Sequence, residues 1–162
     1  MPEQKIVPNL WFDTEAEEAA EYYCSIFKNS RVVNKLHYNE AVPSKAGMVL
    51  TVEWELDGQR FVGINGGAQF KFNEAVSFEI KCESQEDVDY YWDALSEGGT
   101  EGKCGWLADR YGLSWQVVPT VLDELLADPD SDRAVRAMEA MLKMGKLDVE
   151  ALRSAADGVI AS

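Results

Sequence analysis

Histidine and cysteine are scarce in this chain, and positive charge is outnumbered. One His, His37, and three Cys, Cys24, Cys82 and Cys104, stand among 162 residues. No two cysteines form a Cys-x-x-Cys pair, so a zinc knuckle or a disulfide framework is not expected. Reduced thiols in a cytoplasmic protein are the plain reading. Fifteen Lys and Arg face 29 Asp and Glu, for a formal net charge of −14. Nucleic acid and anionic membrane surfaces would be repelled, so neither is an expected partner. No apolar run is long enough to span a bilayer. The start, Met1-Pro2-Glu3-Gln4-Lys5, has no signal-peptide shape.

What the chain does have is enough apolar residue for a core, 46% of the total. Its most informative stretch is Gly105–Pro119. It reads as a strand, a polar turn through Asp109–Gly112, and a second strand closed by Pro119. Trp106 and Trp115 need a large surface to pack on. Gln116, set among apolar residues, needs a partner if buried. Part of this stretch is expected to face a concavity.

Ile6–Phe12 reads as a strand and the residues to about Phe27 as a helix, with Asp13 or Thr14 as its cap. Arg31–Tyr38 is a strand, Asn39–Gly47 a loop, and Met48–Leu56 and Gln59–Asn65 a hairpin around Asp57-Gly58. A shift of 68, from Tyr22-Tyr23 to Tyr90-Tyr91, lays Leu10 over Phe78, Phe12 over Ile80 and Phe27 over Leu95. Strand alternation and helix phase recur together, so the chain reads as two β-α-β-β-β halves. After Pro119 short helices are expected over Val121–Leu126, Arg133–Met144, and from Asp148 to about Ala156. The fold class is therefore α+β: two tandem βαβββ modules, about 5–65 and 74–119, forming a curled mixed sheet around a cleft. A helical tail, 120–162, belongs to the same domain.

Tandem βαβββ halves resemble the vicinal oxygen chelate superfamily, which includes glyoxalase I and extradiol dioxygenases. Pro8-Asn9-Leu10-Trp11-Phe12-Asp13 with Ala16-Glu17-Glu18-Ala19, Tyr90-Tyr91-Trp92-Asp93-Ala94-Leu95, and Gly112-Leu113-Ser114-Trp115-Gln116-Val117-Val118-Pro119 resemble its PhnB-like branch. So does the tail segment Lys143-Met144-Gly145-Lys146-Leu147-Asp148. Many members of that branch carry the label 3-demethylubiquinone-9 3-methyltransferase.

The resemblance implies four cavity ligands in metal-dependent members, one each on the first and last strands of each half. By strand phase these fall on Val7, Gly63, Ala75 and Gln116, only the last of which can coordinate a metal. A register one residue away would present Asn9, Asn65, Ser77 or Glu79. No metal or other cofactor is therefore expected. The expected ligand-binding residues are Asn9, Trp11, Asn65, Ser77, Trp106 and Gln116, a set suited to a planar or amphipathic small molecule. Glu79 is the one carboxylate among them and the candidate general base. The stretch Gly63-Ile64-Asn65-Gly66-Gly67 has no helix start after it, unlike a methyl-donor loop on a doubly wound sheet. The sequence thus points to a small-molecule-binding protein without the metal. The alternatives are a metal-independent enzyme for proton transfer, or the methyltransferase of the family label, and an assembly protein with a vestigial cleft. A homodimer is expected, because apolar sheet faces and a tail stripe need cover.

Overall fold

The computed structural model describes residues 3–159 and divides into two compact units, 1–71 and 72–162. In the first unit, strand β1 (Asn9–Phe12) leads into helix α1 (Ala16–Ile26), then β2 (Arg31–His37), β3 (Val49–Leu56) and β4 (Gln59–Asn65). The sheet order is β1-β4-β3-β2, with β1 parallel to β4 and the other pairs antiparallel. In the second unit, β5 (Ser77–Cys82), α2 (Gln85–Ser96), β6 (Thr100–Glu101), β7 (Trp106–Ala108) and β8 (Ser114–Pro119) repeat that build, in the order β5-β8-β7-β6. The α+β class, the tandem modules and the helical tail are as the sequence predicts.

Alternation fixes which face each residue takes. In β1, β3 and β4, Leu10, Phe12, Val52, Trp54, Leu56 and Phe61 are buried on the side that α1 covers. The helix answers with Ala16, Ala19, Ala20, Tyr23 and Ile26, whose spacing keeps one stripe inward. Tyr23 stacks on Trp54 with ring centres 6.1 Å apart. Three alanines let the helix backbone come close, and the space a Cβ on Gly63 would need is filled by Trp54 at 2.9 Å and Ala16 at 3.1 Å. The other face of this sheet carries ions. Arg60 reaches Glu53 at 2.6 Å and Glu55 at 3.3 Å, and Glu55 also meets Arg31 at 3.2 Å.

The predicted hairpin turn is present, with positive φ at both Asp57 (49°) and Gly58 (84°), as a tight two-residue turn requires. The cap of α1 differs from expectation. Neither Asp13 nor Thr14 caps it. Glu15 occupies the cap position without a side-chain hydrogen bond, and the Ala16 N–H donates to Asn65 Oδ1 at 2.9 Å. A cap supplied from the end of β4 ties helix to sheet and cannot be read from local spacing.

In the second unit Cys82, Val88, Trp92, Leu95, Leu107, Trp115 and Val117 form the layer between sheet and α2. Asp109, 3% exposed, organises the β7–β8 turn. Its carboxylate accepts from Tyr111 N–H, Leu113 N–H and Trp115 Nε1, at 2.9, 3.1 and 2.9 Å. The tail forms α3 (Thr120–Leu126), α4 (Ser131–Leu142) and α5 (Val149–Ala156). It packs Leu122, Leu125, Ala137, Leu147, Leu152 and Ala156 on Val118. Gln85 of α2 clasps it, donating to Leu147 O at 3.1 Å and accepting from Val149 N–H at 2.7 Å. Gly105, at φ +83°, has Leu147 3.0 Å from where a Cβ would sit, so the tail rests directly on the strand entrance. No helix among the described residues is long and apolar enough to cross a membrane.

Candidate functional site

The uncovered face of the second sheet collects polar groups. Paired residues in neighbouring strands share a face, and the register Ser77↔Ser114, Glu79↔Gln116, Trp106↔Gln116 and Ala108↔Ser114 places all six together. Gln116 Nε2 donates to Ser77 Oγ at 2.9 Å. That leaves the Gln116 carbonyl oxygen and the Ser77 hydroxyl proton without partners among the described residues. Trp106 is half-buried and its indole N–H has no partner among them either. Beside Trp106 lies a hollow of about 250 Å³, walled by Glu74, Thr100, Glu101, Trp106, Ala108 and Ser114, among others. Glu79 stands on the same face, its side chain 40% exposed and 4.0 Å from Lys81 Nζ.

The first sheet holds the other expected site residues differently. Asn9 and Trp11 lie on its uncovered face, Asn9 donating to Val7 O at 3.0 Å. Trp11 is firmly held. Its indole N–H donates to Gly67 O at 2.8 Å, Phe70 meets its ring edge-on at 4.9 Å, and its ring occupies the space beside Gly66, 2.1 Å from a built Cβ. Gly66 therefore makes room for this indole. Asn65 is on the helix side, 8% exposed, with Oδ1 capping α1 and Nδ2 donating to Val49 O at 3.2 Å. Gly63 is on that side too, so the strand phase assigned to Gly63 from sequence is reversed. Val62 and Ile64 take the uncovered face of β4. Val7 and Ala75 precede their strands, and His37 ends the edge strand β2, exposed. Among the described residues, no group of three or more His, Cys, Asp or Glu is placed to hold a metal ion.

Sequence reasoning did not single out Ser114, Thr100, Glu74 or Glu101. Ser114 was within reach, because it lies two residues from Gln116 on one strand and so shares its face. The other three come from turns and a two-residue strand whose position no periodicity announces. A second hollow, about 390 Å³, was also missed. It lies in the first unit between the β1–α1 turn and the loop after β2, with Asp13, Glu17, Tyr38, Lys45 and Met48 in its wall. Tyr38 donates its hydroxyl to Asn65 O at 2.7 Å, and Lys45 Nζ lies 5.2 Å over the Tyr38 ring.

Two mixed four-stranded sheets in the order first-fourth-third-second, each under one helix, define the vicinal oxygen chelate fold, the class that includes glyoxalase-type proteins. The sequence profile of the 3-demethylubiquinone-9 3-methyltransferase family matches residues 4–118. The chain belongs to that family, the PhnB-like branch of the superfamily. It is 34% identical to a PhnB protein from Bacillus cereus whose description carries the same family name, over 72% of this chain and 100% of that one, with a TM-score of 0.65. Protein PA1353 from Pseudomonas aeruginosa shares the fold at 18% identity and a TM-score of 0.61, over 72% of this chain and 98% of its own. The fosfomycin resistance protein FosX from Mesorhizobium loti does so at 13% and 0.55, over 79% of this chain and 100% of its own. No curated protein matches the chain. The family profile ends at residue 118, so α3, α4 and α5 lie beyond it.

Proposed function

We propose that this protein binds a small organic molecule on the uncovered face of its second sheet, without a metal ion. The observation that carries this reading is the hollow beside Trp106, lined by that half-buried indole and by Ser114, on the sheet face where Ser77 and Gln116 retain spare hydrogen-bonding capacity after bonding each other. An aromatic wall with a few placed polar groups suits a planar or amphipathic ligand. The donor chemistry supports the metal-free part. Among the described residues, the strands of this face offer one carboxylate, Glu79, and one amide, Gln116, and the wall of the hollow adds Glu74 and Glu101 but no His, with no three His, Cys, Asp or Glu grouped to hold an ion, a poor match to the converging imidazole or carboxylate ligands a divalent ion needs. Asn9 and Trp11 remain proposed contacts through their faces. For Asn65, with both amide atoms engaged in the first unit, the support is weakest.

Methyl transfer, as the family name has it, finds no support in this build. The sheets are mixed rather than doubly wound, and Gly66 makes room for the Trp11 ring while the Gly67 carbonyl accepts from its indole N–H. A second reading has one observation in its favour. Glu79 lies in register with Gln116, close to the same polar cluster, which is where a base for proton transfer would stand. Glu79→Gln that abolishes turnover of a bound compound while keeping its affinity would establish this; unchanged turnover would sink it.

The test of the binding reading is a small-molecule library screened by NMR on the tryptophan indole N–H signals. Hits that move the Trp106 signal, and are lost in Trp106→Ala with an unchanged melting midpoint, support it. A library that moves no signal on this face refutes it. The pairing of two chains is likewise a proposal, supported by the exposed α4 stripe Val135, Met138 and Leu142, and sedimentation equilibrium decides it. A cytoplasmic location rests on the three free thiols.

A further inference from the structure

We propose that the larger hollow, in the first unit, takes a zwitterionic amino acid, its carboxylate on Lys45 and its ammonium on Asp13. The proposal concerns a different set of residues and does not rest on the reading above. The volume, about 390 Å³, falls within the range of small-molecule sites. The charges in the wall come from two segments: Asp13 and Glu17 from the β1–α1 turn and the start of α1, Lys45 from the loop after β2. Lys45 is the first observation. Four cations among the described residues are half-buried, Lys45, Arg60, Arg133 and Arg136. The three arginines all donate to oxygens. Lys45 Nζ has no oxygen partner among the described residues, in a chain with 29 Asp and Glu. It lies 5.2 Å over the Tyr38 ring, and the Tyr38 hydroxyl is anchored on Asn65 O at 2.7 Å. Tyr38 N–H donates to Met48 O at 2.8 Å and Gly47 N–H to Tyr38 O at 2.9 Å, which closes the base of the loop. The ammonium is therefore held at the hollow with its hydrogen-bond donors unspent.

The second observation is the acidic part of the wall. Glu17 is matched already, by Lys35 at 2.6 Å. The Asp13 carboxylate is exposed and has no ion pair or hydrogen bond among the described residues. An anion alone would meet Lys45 but bring a like charge to Asp13, and a cation alone reverses the conflict. A molecule that carries both charges answers both groups. Met48 and Val49 add apolar surface for its side chain.

Three probes of one skeleton separate the charges: L-leucine, the cation L-leucinamide and the anion N-acetyl-L-leucine. Their binding to the full chain is read by calorimetry and by the Met48 methyl NMR signal, assigned with Met48→Leu. L-leucine is expected to move that signal and to bind about ten-fold tighter than either singly charged probe, with affinity falling as salt is added. Lys45→Gln is expected to weaken L-leucine about five-fold, the size of one part-exposed ion pair, and to leave L-leucinamide unchanged. Asp13→Asn is expected to weaken L-leucine and L-leucinamide and to leave N-acetyl-L-leucine unchanged. Either singly charged probe binding as tightly as L-leucine overturns the proposal. So does L-leucine affinity unaltered in both variants, or no Met48 shift with any of the three. Binding on the second sheet is read on Trp106 instead, so the two readings fail independently.

Discussion

Asp109 carries more hydrogen bonds than any other side chain in the Trp-rich stretch: two backbone N–H groups and the Trp115 indole converge on one carboxylate that is 3% exposed. Asp109→Ala would leave three donors unpaired at the head of β8, the strand that carries Ser114 and Gln116. The expected loss is about 3 kcal/mol, measured by urea unfolding. Cys82 illustrates the opposite case, a group kept silent by its surroundings. It is fully buried, and burial first, then the nearby Asp87 charge, pushes its thiol up to about 12. Alkylation of the native protein at about pH 8 is expected to leave Cys82 unmodified, as mass spectrometry of the digest would show. At this scale the sequence was readable where a residue's role is local. The polar turn through Asp109–Gly112 was visible from residue type alone. That Asn65 caps α1 was not, because 49 positions separate it from Ala16.

Among the elements, the tail is attached to α2 by polar clasps as well as by its apolar cluster. Gln85 and Lys146 both hold Asp89, and hydrogen bonding from Gln85, then from Lys146, holds that carboxyl below its ordinary range. Within the tail, the Asp130 N–H and then Arg133 do the same for Asp128. A carboxylate whose folded value is depressed contributes stability above its unfolded value, and that contribution is lost as pH falls through the folded value. The melting midpoint should therefore be insensitive to these two groups above about pH 5 and should fall with them below about pH 4. The double variant Asp89→Asn, Asp128→Asn is expected to show a shallower decline in that acid range, measured by circular dichroism melts. An equal or steeper decline would mean the clasps do not contribute. Strands and helices were legible in the sequence because alternation and 3.6-residue stripes are local signals. Boundaries shifted by a few residues: β1 begins at Asn9 rather than Ile6, and α4 spans Ser131–Leu142 rather than Arg133–Met144.

For the whole molecule, the consequential expectation concerns metal. Protein purified without chelating resin should carry substoichiometric metal, and adding Mg²⁺, Mn²⁺, Ni²⁺ or Zn²⁺ should leave the melting midpoint unchanged. One ion per chain with a raised midpoint would overturn the metal-free proposal and return the chain to Lewis-acid chemistry. The proposed ligand should instead raise the midpoint in its own right, in proportion to the logarithm of its concentration above its dissociation constant.

The sequence by itself determined the repeat, the fold class and most of the elements, because each rests on periodicity within one segment. It also indicated Gln116, Ser77 and Trp106, whose alternation on short strands survives small errors in boundary. The tertiary structure decided the phase at Gly63 and Asn65. Only the contact of β4 with α1, where Trp54 and Ala16 fill the space beside Gly63, shows which face of that strand is covered. It also brought Glu74, Thr100 and Glu101 to Trp106 and Ser114. Those residues come from the connection before β5 and from three strands, β6, β7 and β8, and the hollow they share exists only once the sheet has paired.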